Sequence, residues 1–92
     1  MSIKTIAHKG LEQFLKTGNT KGIVADHAKR ISDRVSVLNS MSSLEVLNGR
    51  WRFHALKGDR AGQYAINVSG NYRLFFEFND GDVYLLDYGD YH

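Results

Sequence analysis

The residues best suited to chemistry are His54, Lys57 and Arg73 in the second half of the chain, and Asp90, Tyr91 and His92 at its end. Cleavage of RNA by its own 2′-hydroxyl requires a base to take the hydroxyl proton and an acid to protonate the leaving 5′-oxygen. It also requires cations to stabilise the charged phosphorane. Imidazole, with an ordinary pKa of about 6.5, can act as either base or acid. Arginine grips a phosphate through paired hydrogen bonds, and lysine supplies a point charge. Each residue also has an ordinary reading: a strand histidine can be structural, an arginine on a sheet can be plain surface, and a final D-Y-H can be a loose tail. No metal is expected, because four scattered histidines without cysteine lack ligand spacing. The nine glycines are dispersed, with no nucleotide-type phosphate loop. No cofactor is needed for this chemistry.

The elements that must position these residues fall into two halves. In the first, "HKGLEQFLKTG" sets Leu11, Phe14 and Leu15 on one helical face, with Gly18 as a stop. "VADHAKRISDRVSVLNSM" repeats the pattern through Ala28, Ile31, Val35 and Leu38, with Asp26 near the start, where the helix dipole favours an anion. "SSLEVLN" predicts a short turn or helix capped by Ser42 or Ser43, and residues 2–6 a short edge strand. His8 and His27 fall in the helical segments and receive no role.

In the second half the period changes from 3.6 to 2. "WRFHAL" alternates Trp51, Phe53 and Ala55 against Arg52, His54 and Leu56; "QYAINV", "YRLFFEF" and "VYLLDY" continue as strands. "SGN" and "NDGD" are tight hairpin signals, so the three strands from Gln63 onward are antiparallel neighbours. The expected fold is α+β, with two or three N-terminal helices on one face of a curved, mostly antiparallel sheet. Residues 1–92 form a single domain on this reading. If Trp51 and Phe53 point at the helices, His54 and Arg73 lie on an opposite, polar concave face, which the carboxyl end could reach by folding back.

Charge is uneven. Residues 1–79 carry all twelve Lys and Arg against six acids; residues 80–92 carry the other four acids. A basic body suits a polyanion such as RNA, although solubility also demands surface charge. Lys29, Arg30 and Arg34 lie on the polar face of the second helix, a basic patch that suits such a polyanion or is an ordinary solvated helix face. The absence of cysteine excludes disulfides and thiolate chemistry. The sequence shows neither a signal peptide nor an apolar run of about 18 residues, so no membrane association is expected, and a cytoplasmic location is.

Together, "WRFHALKGDRAGQYAINVSGNYRLFFEF" and "VYLLDYGDYH" resemble the HigB toxins of the RelE/ParE superfamily, and "HKGLEQFLKTG" resembles their start. The likeness runs over nearly the whole chain. It implies a RelE-like fold of the microbial ribonuclease type. It also implies a metal-independent, ribosome-dependent mRNA endonuclease that cuts in the decoding site and inhibits translation. The implied partners are a HigA-type helix-turn-helix antitoxin, the ribosome with its 16S rRNA and mRNA, and operator DNA through the antitoxin complex alone. By the same resemblance His54, Asp90, Tyr91 and His92 are the catalytic set, and Lys57 and Arg73 hold substrate. Ala55 stands where the family often has proline, and Tyr64 and Tyr72 stand where tryptophan is common. The ParE branch attacks gyrase instead, and fold kinship does not fix activity. A non-cleaving gyrase or ribosome binder, or a protein acting mainly as co-repressor, are the competing readings.

Overall fold

The computed structural model describes residues 3–90. Helix α1, Lys9–Thr17, starts where the His8 ring accepts a hydrogen bond from the Leu11 amide (2.9 Å) and stops at Gly18, whose φ of 80° lets its amide reach Phe14. Helix α2, Ala28–Ser40, follows a single 3-10 turn at Ala25–His27 and buries Ile31 and Leu38. A second 3-10 turn, Leu44–Leu47, is capped by Ser43, one of the two serines expected there.

The sheet has four strands in the order β1-β2-β3-β4, all antiparallel: β1 His54–Ala55, β2 Tyr64–Ser69, β3 Tyr72–Asn79 and β4 Asp82–Asp90. The β3–β4 turn places Asp80 and Gly81 at φ of 50° and 83°, the left-handed pair that a two-residue Asp-Gly hairpin requires. The helices cover one face of the sheet. Leu11, Ile31, Leu38, Ile66, Leu74, Phe76, Val83 and Leu86 are fully buried between the two layers. The expected edge strand is present as two parallel bridges, Ile3 to Val83 and Ile6 to Leu86.

Two departures from strand alternation matter. β1 is only two residues long, because Trp51 and Arg52 take left-handed conformations at φ of 48° and 53°. The Trp51 ring lies under the Arg34 guanidinium (4.8 Å), and its carbonyl accepts from the Asn67 amide (2.7 Å). The second departure is a bulge in β4. Glu77 pairs with Tyr84 and Phe75 with Asp87, so Leu85 and Leu86 share the place opposite Phe76, with Leu85 at φ 53°. The N-terminal segment fastens here: Leu85 donates to the Thr5 hydroxyl (2.7 Å) and Leu86 to the Thr5 carbonyl (3.1 Å).

Arg34 is not the free helix-surface cation that its spacing suggested. It is half-buried, its Nε donates to the Asn67 carbonyl (2.8 Å), and it covers Trp51. Burial and the neighbouring Arg30 both lower its pKa from the ordinary arginine value, with Asp33 opposing them. Lys29 and Arg30 are exposed, as expected.

Gly10 and Gly22 bring α1 and the loop before α2 into backbone contact. A Cβ on Gly10 would lie 2.6 Å from the Gly22 Cα and closer still to its carbonyl oxygen. Neither glycine has positive φ, so close approach, not backbone freedom, is the reason for both.

Two stability predictions follow from these contacts. Gly10→Ala and Gly22→Ala each destabilise the fold by about 1–3 kcal/mol, since the overlap is with backbone that cannot step aside. Arg34→Ala costs about 1–2 kcal/mol through the lost hydrogen bond and ring contact, and Arg34→Lys recovers only part of it. Urea melts of the four variants against wild type test both.

Candidate active site

On the sheet face away from the helices, register gives the order of side chains directly. His54 stands opposite Ala65, Ala65 opposite Phe75, and Phe75 opposite Asp87, forming one row across all four strands. The adjacent row runs Asn67, Arg73, Gly89. His54 and Arg73 therefore share the outer face, as alternation predicted. Two strand spacings and a step of two residues along the strands separate their backbone positions, about 12 Å, wide enough to admit a substrate between them.

His54 is exposed, and its Nδ1 lies 2.8 Å from the Arg52 carbonyl. A carbonyl can only accept, so Nδ1 carries the proton, and Nε2 is the basic nitrogen of the neutral ring. The left-handed turn at Trp51–Arg52 is what aims that carbonyl. Arg73 is half-buried and donates through Nη1 to the carbonyls of Gly70 (2.8 Å) and Tyr72 (3.3 Å), so the hairpin itself holds the guanidinium. Lys57 is exposed and precedes the 3-10 turn Gly58–Arg60.

The outer face is not uniformly polar. Leu56, Ala65 and Phe75 form a small buried cluster on it, with Phe75 only 3% exposed. The Arg60 guanidinium covers the Phe75 ring at 4.3 Å and donates to Gln63. Arg60 belongs to the "KGDR" loop and would bring a third cation to this face. Gly89 leaves the surface beside Arg73 low; a Cβ there would only touch the Phe75 ring edge, at 3.9 Å.

Asp90 ends β4, exposed and paired with Tyr72. Alternation gives it the face of Tyr72 and Tyr88, so it stands at the rim of the helix side and not in the row of His54. Tyr91 and His92 lie outside the described residues, as does the fold-back expected of them. The carboxylate that does share the row of His54 is Asp87, whose Oδ1 accepts from the Tyr88 amide (2.8 Å).

The histidines that spacing left without a role, His8 and His27, both make contacts that hold the fold. His27 is buried at 8% exposure, and its Nδ1 lies 2.7 Å from the Tyr88 hydroxyl, which also accepts from the Val24 amide (3.3 Å). The phenol and the His27 ring therefore share one buried hydrogen bond, and the Val24 amide supplies the hydroxyl with a second partner. Tyr72 stacks on Tyr88 (5.3 Å between centroids), while His27 and His8 meet these rings edge-on. A larger groove of about 630 Å³ lies between residues 3–6, α1 and α2, and holds none of the expected site residues. No group of three or more metal-ligating side chains occurs among the described residues.

The family model described as "RelE-like toxin of type II toxin-antitoxin system HigB" matches residues 4–92. The chain belongs to that family. Endoribonuclease HigB of Proteus vulgaris is 41% identical over 91 residues, which is 98% of this chain and 99% of that protein. Two solved structures share the fold at 17% identity. The YoeB-YefM complex from Staphylococcus aureus superposes with a TM-score of 0.66, over 100% of this chain and 97% of that one. The YoeB/ParE toxin from Agrobacterium tumefaciens gives 0.58, over 100% and 99%. The RelE-like fold expected from the motifs is thus the observed one: two helices on a four-stranded antiparallel sheet. As the toxin of a type II system, the chain has an antitoxin as partner.

Burial raises the Tyr88 pKa above the ordinary tyrosine value of 10.0, a rise that the Val24 hydrogen bond opposes and Tyr72 reinforces. The folded state therefore binds the phenolic proton more tightly than the unfolded chain does. This contribution to stability is complete below about pH 10 and is lost as pH rises through the folded value. Tyr88→Phe is expected to flatten the decline in melting temperature above pH 10, as measured by calorimetry across pH 8–11.

Proposed function

We propose that the chain is a metal-independent endoribonuclease that cuts mRNA on the ribosome and so inhibits translation. The observation that carries this reading is the outer sheet face, where the His54 ring presents a basic Nε2 across an apolar floor from a hairpin-held Arg73. His54 takes the 2′-hydroxyl proton. Arg73 and Lys57, with Arg60 beside them, neutralise the scissile phosphate. Tyr91 and His92, led out of the sheet by Asp90 at its rim, supply and orient the acid that protonates the 5′-oxygen, leaving a 2′,3′-cyclic phosphate. Hydroxyl attack on phosphorus forms one P–O bond as the bond to the 5′-oxygen breaks. The proton taken at His54 and the proton given at the terminal set balance without water or metal.

The Proteus vulgaris relative is named an endoribonuclease, which favours cleavage over inhibition by occupancy alone. Dependence on the ribosome, the decoding-site location and a HigA-type antitoxin that carries the pair to operator DNA complete the proposal. A cytoplasmic location accords with a ribosomal target, and no helix among the described residues is long and apolar enough to cross a membrane. The exposed Lys29 and Arg30 suit contact with ribosomal RNA.

In a purified translation system, His54→Ala and deletion of His92 are each expected to lower the rate of appearance of new mRNA ends by about 10²–10⁴-fold. Arg73→Ala is expected to act comparably. Wild-type cleavage by all three would refute the site, and translational arrest without new mRNA ends would favour a non-cleaving inhibitor.

A further inference from the structure

A cleft of about 320 Å³ opens at the end of the sheet, on the helix side, between the start of α1, the loop before α2 and the last residues of β4. His8, Lys21, Gly22, Tyr72, Tyr88 and the backbone of Gly89 line it. None of these residues belongs to the catalytic set, yet two adjoin it. Tyr72 precedes Arg73, Gly89 precedes Asp90, and Tyr72 and Asp90 are register partners. Tyr72 and Arg73 point to opposite faces of the sheet, so an RNA strand that reaches both passes around the end where β3 begins and β4 ends.

We propose that this cleft holds a single-stranded RNA nucleotide flanking the scissile one, with its base against the Tyr72 and His8 rings and its phosphate at Lys21. The reading rests on the nuclease function above and extends it to a second contact with the substrate. Three features carry it. The volume is at the lower end of the range for ligand clefts, enough for one nucleotide and too small for a base pair. The walls combine aromatic rings with a cation, the pairing that binds unpaired bases without sequence readout. And the walls are set before any ligand arrives: the Tyr72–Tyr88 stack is anchored by His27, the loop bearing Lys21 is fixed by the Gly10–Gly22 contact, and His8 is fixed by its cap to Leu11. A preset wall spends less binding free energy on ordering. The His8 cap occupies Nδ1, so the neutral ring carries its proton on Nε2, a donor suited to a base or sugar oxygen.

The test uses Lys21→Glu, at an exposed position, and His8→Asn, which keeps a capping side chain while removing the ring. With ribosome-bound mRNA as substrate, each variant is expected to raise KM about tenfold and to change kcat by less than about twofold. An abasic nucleotide beside the cleavage position should weaken wild type similarly and cause little further loss in His8→Asn. Unchanged KM in both variants, a loss confined to kcat, or fully additive losses with the abasic substrate would overturn the cleft assignment while leaving cleavage intact. If wild type cuts no RNA, the nuclease reading fails separately, and the cleft is judged by titrating a short oligoribonucleotide against labelled protein. Amide shifts at Gly22, Val24 and Gly89 support it, and shifts absent from all three reject it.

Discussion

One hydroxyl ties the two layers of this protein together where its chemistry begins. Tyr88 lies on β4, faces the helices, and is buried. Its oxygen accepts from the Val24 amide in the loop before α2, and the hydroxyl shares a second hydrogen bond with the His27 ring at the head of that helix. A buried phenol without partners costs about 1–3 kcal/mol, so this pairing is demanded as much as it is favourable. Because Tyr88 is held, the last two residues of β4 keep a fixed register: Gly89 beside Arg73, and Asp90 beside Tyr72. The proposed acid–base set emerges from that point.

The sheet performs different work on its two faces. Toward the helices it supplies Ile66, Leu74, Phe76 and Leu86 to the main core. Away from them it carries a second, minor apolar cluster, small enough to leave His54 and Arg73 accessible yet large enough to hold Arg60 in place over Phe75. An apolar floor under cations excludes water and strengthens their pull on a phosphate. The same floor exposed to solvent would be a liability, and the Arg60 guanidinium shields it.

Much of this was legible in the residues alone. The helical faces around Leu11 and Ile31, the Gly18 stop and the two hairpins follow from local chemistry, and their order led to the right fold. The placement of His54 and Arg73 on one face followed from pleat alternation. The failures share a cause, which is that contacts distant in sequence override period-2 geometry. The run "WRFHAL" reads as a six-residue strand, but capture of Trp51 by Arg34 and Asn67 bends its first half into a left-handed turn. Counting from Val83 by twos sets Asp90 on the outer face; the extra residue at Leu85–Leu86 inverts that parity. Nothing local marks that bulge, because it answers to Thr5, eighty positions away. His27 could not be told from a surface histidine until Tyr88 was seen to meet it.

The N-terminal stretch that joins β4 has an effect on how partners can engage the molecule. Ile3 to Ala7 already occupy the amides and carbonyls that β4 would otherwise offer, at Val83, Leu85 and Leu86. At the opposite margin only His54 and Ala55 form a strand. A protein that zips a new strand onto this sheet finds Val83 to Leu86 already paired at one margin and a strand of two residues at the other. Little ladder is left there for it to extend, so side chains laid over a surface carry more of its grip.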